Sequence, residues 1–384
     1  MIKLLLKIAV STTIIIASMN IRAMPSPLFT LHGSNTVGAK LAPQCAKGYL
    51  ESIDVNNVQI VNATQDNEYW VSGVKGLGLD KTIVNIKIAA HGSSTGFKAL
   101  EQEQADVAMS SRPIKDGEVD RLKHRGAMLS RQAEHAIAID GLAILVHPSN
   151  PLSTLTIKQI AQLFSGQIKN WKQLGGNNEA VIIYARDDNS GTWDTFKKLV
   201  LAGDYGLSEQ AIRFESNDKL SDHVASQRNA IGFTGLSSVR SSKLIAVADD
   251  NTTAMKPSIY SVATEDYPLA RRLYFYLPPK NASPWAREFI EYCQSHQGQK
   301  IVEAVGFVSQ NIRTFKHTVS DDESIPEVYR RLSKIGQRLS VNFRFSAGSP
   351  RLDNKAYKDL QRLIDFLREP EHSNKYVYLI GFSD

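Results

Sequence analysis

Short apolar runs alternate with amphipathic stretches along residues 28–110. LFTLH (28–32) leads into TVGAKLAPQCAKGYLESI (36–53), whose apolar residues recur at helical spacing. VQIVNA (58–63), a glycine-rich excursion VSGVKGLGLD (71–80) and TIVNIKIAAH (82–91) come next, then TGFKALEQEQ (95–104) and DVAMSS (106–111). Period-two runs predict strands and three-to-four spacing predicts helices. The resulting order is an α/β signature with a largely parallel sheet. A second such run begins at AIAIDGLAILVHP (136–148). It passes through TIKQIAQLFSG (156–166), VIIYA (181–185), TWDTFKKLVLAG (192–203), IGFTGL (231–236) and KLIAVA (243–248). One long helix, SPWAREFIEYCQSHQGQKIVEAV (283–305), closes it.

Residues 313–332 are polar, of mixed charge, and read as a linker. Residues 333–384 form a small third unit: strand RLSVNFRF (338–345), a helix over 353–367 and strand YVYLIGF (376–382). A strand–helix–strand of about 50 residues is small for an independent core. At the other end, Lys3 and Lys7 flank an apolar run that stops near Ala23. That pattern is a secretory signal peptide over residues 1–23, cleaved on export.

The chain's 384 residues are 42% hydrophobic and 22% charged, as in soluble globular proteins. Its formal charge of +6 falls to +3 without Lys3, Lys7 and Arg22. That is too modest to argue for nucleic acid, and no basic stripe with interleaved aromatics accompanies it. Cys45 and Cys293 either form one long-range disulfide or stay as buried thiols; spacing leaves both open. The nine histidines show no paired-ligand spacing, so neither metal nor cofactor is expected. Tyr69, Trp70, Trp171 and Trp285 read as packing residues.

One turn recurs. GSNTVGAK (33–40), GSSTGFKAL (92–100) and NSGTWDTF (189–196) each follow a strand and open a helix. SSRPI (110–114) follows another strand and supplies Arg112, and Arg186 ends the run before the third turn. Ser and Thr at helix starts cap orphan N–H groups. The same N–H groups, with the positive end of the helix dipole, also receive anions. Three such turns with two arginines favour a dehydrated oxyanion site over capping alone. GSNTVGAK lacks the Gly-Lys-Ser/Thr ending of a nucleotide phosphate loop. Gly92 to Gly96 fits the G-x-S-x-G nucleophile elbow. The enzyme alternative is therefore a hydrolase using Ser94, with His135, His147 or His223 as base.

These residues carry a resemblance. IDGLAILVHPSNPLSTLTIKQIAQLFSGQIKNWKQLGG (139–176), ADVAMSSRPIKDGE, RDDNSGTW, IGFTGLSSV, YPLARRLYFYLPP and GQKIVEAVGF resemble the phosphate-binding proteins of bacterial phosphate ABC transporters. The resemblance implies a type II periplasmic binding protein of two hinged lobes over residues 24–312. Lobe 1 would take about 25–135 and 235–312, and lobe 2 about 136–234. Phosphate contacts would fall on Ser34, Asn35, Thr36, Ser93, Ser94, Thr95, Ser110, Ser111, Arg112, Arg186, Ser190, Gly191 and Thr192. Some members carry an aspartate where this chain has Ser110-Ser111; it accepts the phosphate proton and so rejects sulfate. Here Asp187 or Asp188 would have to supply that acceptor, or the protein is a general oxyanion receptor. The implied protein is a periplasmic monomer, not an enzyme, serving uptake with a permease partner or sensing.

The tail resembles the start of an OmpA-like α+β peptidoglycan-binding domain, with Asp384 in the place of its wall-binding aspartate. The family's downstream arginine would lie beyond residue 384, so residues 333–384 read as an incomplete module. A complete one would tether the protein to the cell wall or outer membrane, and a purely structural wall role is the alternative. As written, YVYLIGF is an unpaired apolar edge.

Overall fold

The computed structural model describes residues 25–76, 80–249, 252–317, 319, 325–345, 348–372 and 374–381. The expected signal peptide (1–23) and Asp384 lie outside the described residues. Thirteen strands build the body: β1 (Thr30–Gly33), β2 (Val55–Asn62), β3 (Glu68–Lys75), β4 (Thr82–Ala89), β5 (Val107–Ser110), β6 (Glu134–Val146), β7 (Thr154–Thr156), β8 (Ile182–Arg186), β9 (Ile212–Phe214), β10 (Ala230–Gly235), β11 (Lys243–Leu244), β12 (Ala246–Ala248) and β13 (Ala270–Tyr276). Ten of them run side by side in the order β2-β3-β4-β1-β5-β13-β6-β10-β8-β9.

β6 explains how one sheet serves two lobes. Its 13 residues are an almost unbroken apolar run. Glu134–Gly141 pair antiparallel with β13, and Leu142–Val146 pair antiparallel with β10. Ile137 and Ala138 belong to the first core, with Phe29, Leu31, Tyr49, Ile86 and Phe289. Leu142, Ile144 and Val146 belong to the second, with Phe164, Trp171, Phe196 and Phe233. The alternate residues Ala143 and Leu145 face Tyr184 and Leu220 across the sheet. The period-two pattern thus buries both faces, as a strand covered on both sides requires. β6 and β13 are the two strands that cross between the lobes.

Several expectations are corrected. The sheet is mixed, because β2, β3 and β4 form an antiparallel meander and only the β4-β1-β5 and β10-β8-β9 groups are parallel. The glycine-rich excursion supplies most of β3, where Gly73 lets Val55 and Val58 close over the strand. The long closing helix breaks at Ser295, whose side chain accepts the Gly298 N–H at 3.2 Å and restarts it as His296–Ala304. The first helix likewise divides into Asn35–Gly38 and Leu41–Ser52. Residues 245–269, expected in lobe 1, instead pack Ile245, Val247, Val262, Tyr267 and Leu269 into the second core. Cys45 and Cys293 are buried unbridged thiols in the first core. Burial first, and the adjoining Cys45 thiol second, push Cys293 well above its ordinary range.

The tail docks against the body. Thr314–Phe315 pairs antiparallel with Arg338–Leu339, the only part of the expected RLSVNFRF strand that forms one among the described residues. Asp353 caps the helix Asn354–Arg368 and also binds Arg272 of β13 at 2.6 Å. Asn354 donates to Glu134, and Arg362 to Gln310, both at 3.0 Å. Arg338 pairs with Asp266 at 2.8 Å. The tail therefore touches lobe 1 through Glu134 and Gln310 and lobe 2 through Asp266. Residues 376–381 form no strand, and Tyr376 to Ile380 are exposed. A cavity of about 390 Å³ at this seam is lined by Arg131, Glu134, His135, Tyr357 and Lys358, none of them from the recurring turns.

Candidate functional site

The recurring turns meet where the lobes meet. In lobe 1, residues 34–36, 93–95 and 110–112 follow the carboxyl ends of parallel strands β1, β4 and β5. In lobe 2, residues 186–192 follow β8, and Asn217 follows its parallel neighbour β9. Ligands of open α/β sheets sit at such strand ends. Gly92 shows why the turns need glycine: at φ 118° it sits so close to the Asn189 carbonyl that no side chain fits.

The lobes are shut on each other through polar groups. Thr36 Oγ1 lies 2.9 Å from Thr192 Oγ1, and Asn217 Nδ2 donates to Thr36 Oγ1 at 3.1 Å. Asn35 Oδ1 accepts from the Asn217 backbone at 3.3 Å. The Ser94 N–H reaches the Asn189 carbonyl at 3.3 Å, and Thr195 Oγ1 reaches the Ser111 carbonyl at 3.3 Å. Ser93 Oγ accepts the Ser111 N–H at 3.1 Å, and Gly191 packs directly on this pair. Ser34, Asn35, Thr36, Ser93, Ser111, Ser190, Gly191 and Thr192 are all buried. Nearer the rim, His91 meets Glu215 at 2.8 Å and Lys40 meets Asp218 at 3.0 Å.

The two predicted arginines differ. Arg186 is 1% exposed, and its guanidinium donates to the Phe214 and Glu215 carbonyls and to Asn217 Oδ1, all neutral acceptors. Its nearest carboxylate oxygen, on Asp187, is 3.8 Å away. Burial pushes its pKa down to about 10 and the charge of Arg271 adds to that, against the opposing pull of the Asp187 and Glu215 carboxylates. A buried cation hydrogen-bonded only by neutral groups, with one carboxylate at the edge of its reach and a second cation beside it, is a place where an anion gains.

Arg112, expected as an anion contact, is committed elsewhere. Its Nη1 and Nη2 fork onto Glu118 at 2.7 and 2.6 Å, and its Nε binds Asp194 of the other lobe at 2.8 Å. Two carboxylates balance its charge, so its geometry is that of a clamp between lobes. Burial raises the Asp194 carboxyl, but Lys115 and Arg112 more than offset this and hold it below its usual range. Ser110 Oγ and Thr95 Oγ1 are also turned inward, onto the Arg112 and Gly92 carbonyls at 2.7 and 2.8 Å. Ser190 is a true helix cap: its Oγ accepts the Thr192 and Trp193 N–H groups at 3.2 and 3.3 Å. Asp188 is exposed and bound to Arg213 at 2.9 Å, whereas Asp187 Oδ2 is buried without a hydrogen-bond partner.

None of the three histidines named as base for Ser94 is hydrogen-bonded to it. Ser94 Oγ accepts from Arg112 at 3.2 Å. His135 bonds the Gln132 carbonyl, His147 the Ser149 hydroxyl and His223 the Lys219 carbonyl. A nucleophile needs its base within hydrogen-bond reach, and each of these rings is engaged by its own local turn.

Three residues at the site escaped the sequence reading: Asn217, Asp140 and Arg271. Arg271 on β13 lies opposite Asp140 on β6, where the lobes join. It grips Asp140 Oδ2 with Nε and Nη2 at 2.9 and 2.7 Å and reaches Thr192 Oγ1 with Nη1 at 2.9 Å. Complete burial pushes the Asp140 carboxyl up, against the pull of Arg271. A signal existed: Asp140 is a lone carboxylate in the middle of the apolar AIAIDGLAILV run.

A two-lobed mixed α/β body with its polar turns facing across a hinged seam defines the class, that of a substrate-binding receptor. The chain belongs to the PBP superfamily, whose domain model matches residues 49–297. Protein SphX of Synechococcus elongatus is 30% identical over 237 residues, covering 59% of this chain and 69% of that protein. The phosphate-binding protein PstS of Pseudomonas aeruginosa is 30% identical over 245 residues, covering 59% and 74%. The crystal structure of an ABC-type phosphate transport receptor from Vibrio cholerae superposes with a TM-score of 0.53 at 25% identity, covering 73% of this chain and 99% of that one. A Clostridium perfringens chain with bound phosphate gives 0.55 at 27%, covering 73% and 98%. No helix among the described residues is long and apolar enough to cross a membrane.

Proposed function

We propose that the chain binds inorganic phosphate between its lobes, in the periplasm, for uptake or sensing, and that it is not an enzyme. The observation that carries this reading is Arg186: a buried guanidinium whose hydrogen bonds go to neutral acceptors only, near Arg271 and joined through Asn217 to Thr36. Its relatives' names add to it, since PstS of Bacillus subtilis is a phosphate-binding protein and is 28% identical over 225 residues. Ser34 to Thr36, Ser93, Ser94, Ser111 and Gly191 to Thr192 would line the anion's cage, with Arg112 holding the lobes together around it. Calorimetric titration of ligand-stripped protein with phosphate, and separately with sulfate, tests this. Phosphate heat that vanishes in Arg186→Ala supports it, and heat from both anions makes the protein a general oxyanion receptor. An Arg186→Ala variant that binds like wild type refutes the site.

The tail would be the wall-anchoring part. Its support is the OmpA-like pattern of residues 338–384 and the exposed Tyr357, Leu360 and Ile364 on its helix. Retention of the protein on purified peptidoglycan tests this arm, and no retention removes it.

A further inference from the structure

Resting on the phosphate reading, the geometry points to Arg271 as the residue that positions Thr192 for the anion and ties the site to the hinge. Its two hydrogen bonds to Asp140 fix the guanidinium to the crossing strand, and Asp140 Oδ1 is itself held by the Leu236 N–H at 2.9 Å. Gly235 walls the pair: a methyl group there would stand 2.7 Å from Asp140 Oδ2 and 3.1 Å from Arg271 Nη2. Side-chain exposures of 3% and 0% leave the ion pair no solvent.

The remaining arm decides the proton direction. Arginine only donates, so the Nη1 contact at 2.9 Å makes Thr192 Oγ1 an acceptor and leaves its proton for another partner. Thr36 Oγ1 likewise accepts from Asn217 Nδ2. Two hydroxyls 2.9 Å apart can share one proton between them. The second proton must point away from the pair, toward an acceptor. Arg271 and Asn217 together turn this hydroxyl pair into an obligatory donor, matched to an unprotonated oxygen of the anion. Phosphate and sulfate both carry such an oxygen, so this corner sets affinity and does not separate the two.

Arg271→Gln alone would strand the Asp140 carboxylate, so it is made together with Asp140→Asn as a neutral pair. That variant, Thr192→Val, and the triple variant are titrated with phosphate and with sulfate, alongside urea unfolding without ligand. The neutral pair and Thr192→Val should each weaken phosphate binding roughly 10- to 100-fold, the scale of a charge-assisted hydrogen bond. The triple variant should bind no worse than the weaker of its parents, within about twofold, because all three changes remove one interaction. Any sulfate binding should fall by the same factor. Losses that multiply, a neutral pair that binds like wild type, or a Thr192→Val variant with unchanged affinity would each overturn the assignment. A wild type that takes up neither anion refutes the phosphate reading itself, a result distinct from unchanged variants of a protein that binds.

Discussion

Gly191 offers a perturbation that acts on closure and on the cage it would line, and not on the fold of its own lobe. It opens the helix Gly191–Phe196 of lobe 2, and its backbone lies outside the positive-φ region that favours glycine. Alanine therefore suits the local conformation and improves helix propensity slightly. The added methyl points at lobe 1. It would stand 2.9 Å from Ser93 Cβ, 2.7 Å from Ser111 Oγ and closer still to Ser93 Oγ. Turning the Ser93 hydroxyl aside would break its bond from the Ser111 N–H and leave its Cβ in place. Carbon atoms pack at about 3.5 Å, so the lobes must part by roughly 0.6 Å at this point. The 3.3 Å bonds from Ser94 to Asn189 and from Thr195 to Ser111 would then exceed the usual hydrogen-bond limit.

Overpacking of this kind costs about 1–3 kcal/mol, and here the cost falls only on the closed state. Ligand affinity should drop by roughly 5- to 150-fold, since an anion held by both lobes depends on closure. Urea unfolding of the ligand-free variant should match wild type. Gly206→Ala is the control, because nothing lies within 4 Å of a methyl group there. The assay is calorimetric phosphate titration of stripped protein. Unchanged affinity in Gly191→Ala would refute the closed-state account, and an equal loss of ligand-free stability would show a folding defect instead.

Arg112→Ala removes the cation shared by buried Glu118 and Asp194, and should destabilise the protein by about 3–5 kcal/mol in urea; a loss under 1 kcal/mol would mean the clamp is solvated. His135, at the start of β6, has its imidazole pushed down to about 4 by burial. Its folded form stays neutral while the unfolded chain takes up a proton below about 6.5, so folded stability should fall as pH drops from 6.5 to 4. The urea midpoint should follow that window, and less steeply in His135→Gln; parallel curves would remove His135 as the cause. Asp353→Ala deletes both the tail helix cap and the bridge to Arg272, and should expose residues 325–372 to limited proteolysis before the body; a cap alone contributes about 1 kcal/mol. Identical digestion of variant and wild type would show that the tail does not depend on this contact.

The body was legible because its signals are local. The Ser/Thr-rich turns are read from consecutive residues, and Arg186 follows directly on the strand that delivers it. What stayed hidden was chosen by topology. Arg271 and Asp140 are 131 residues apart and meet only because β13 returns antiparallel beside β6. Asn217 reaches Thr36 only once β9 lies beside β8 and the lobes have closed. The return to lobe 1 was misjudged for a related reason. KLIAVA reads as an ordinary buried strand, and nothing in its composition says that β11 pairs with β6 while β12 pairs with β7. Arg112 is the instructive case. Its sequence context marks it as an anion ligand, but Glu118 six residues on and Asp194 across the seam balance it fully. An arginine's role depends on which carboxylates the fold brings to it. By that measure Arg112 has two carboxylates within hydrogen-bond distance and Arg186 has only Asp187 at 3.8 Å, so the anion we propose would gain more from Arg186 than from Arg112.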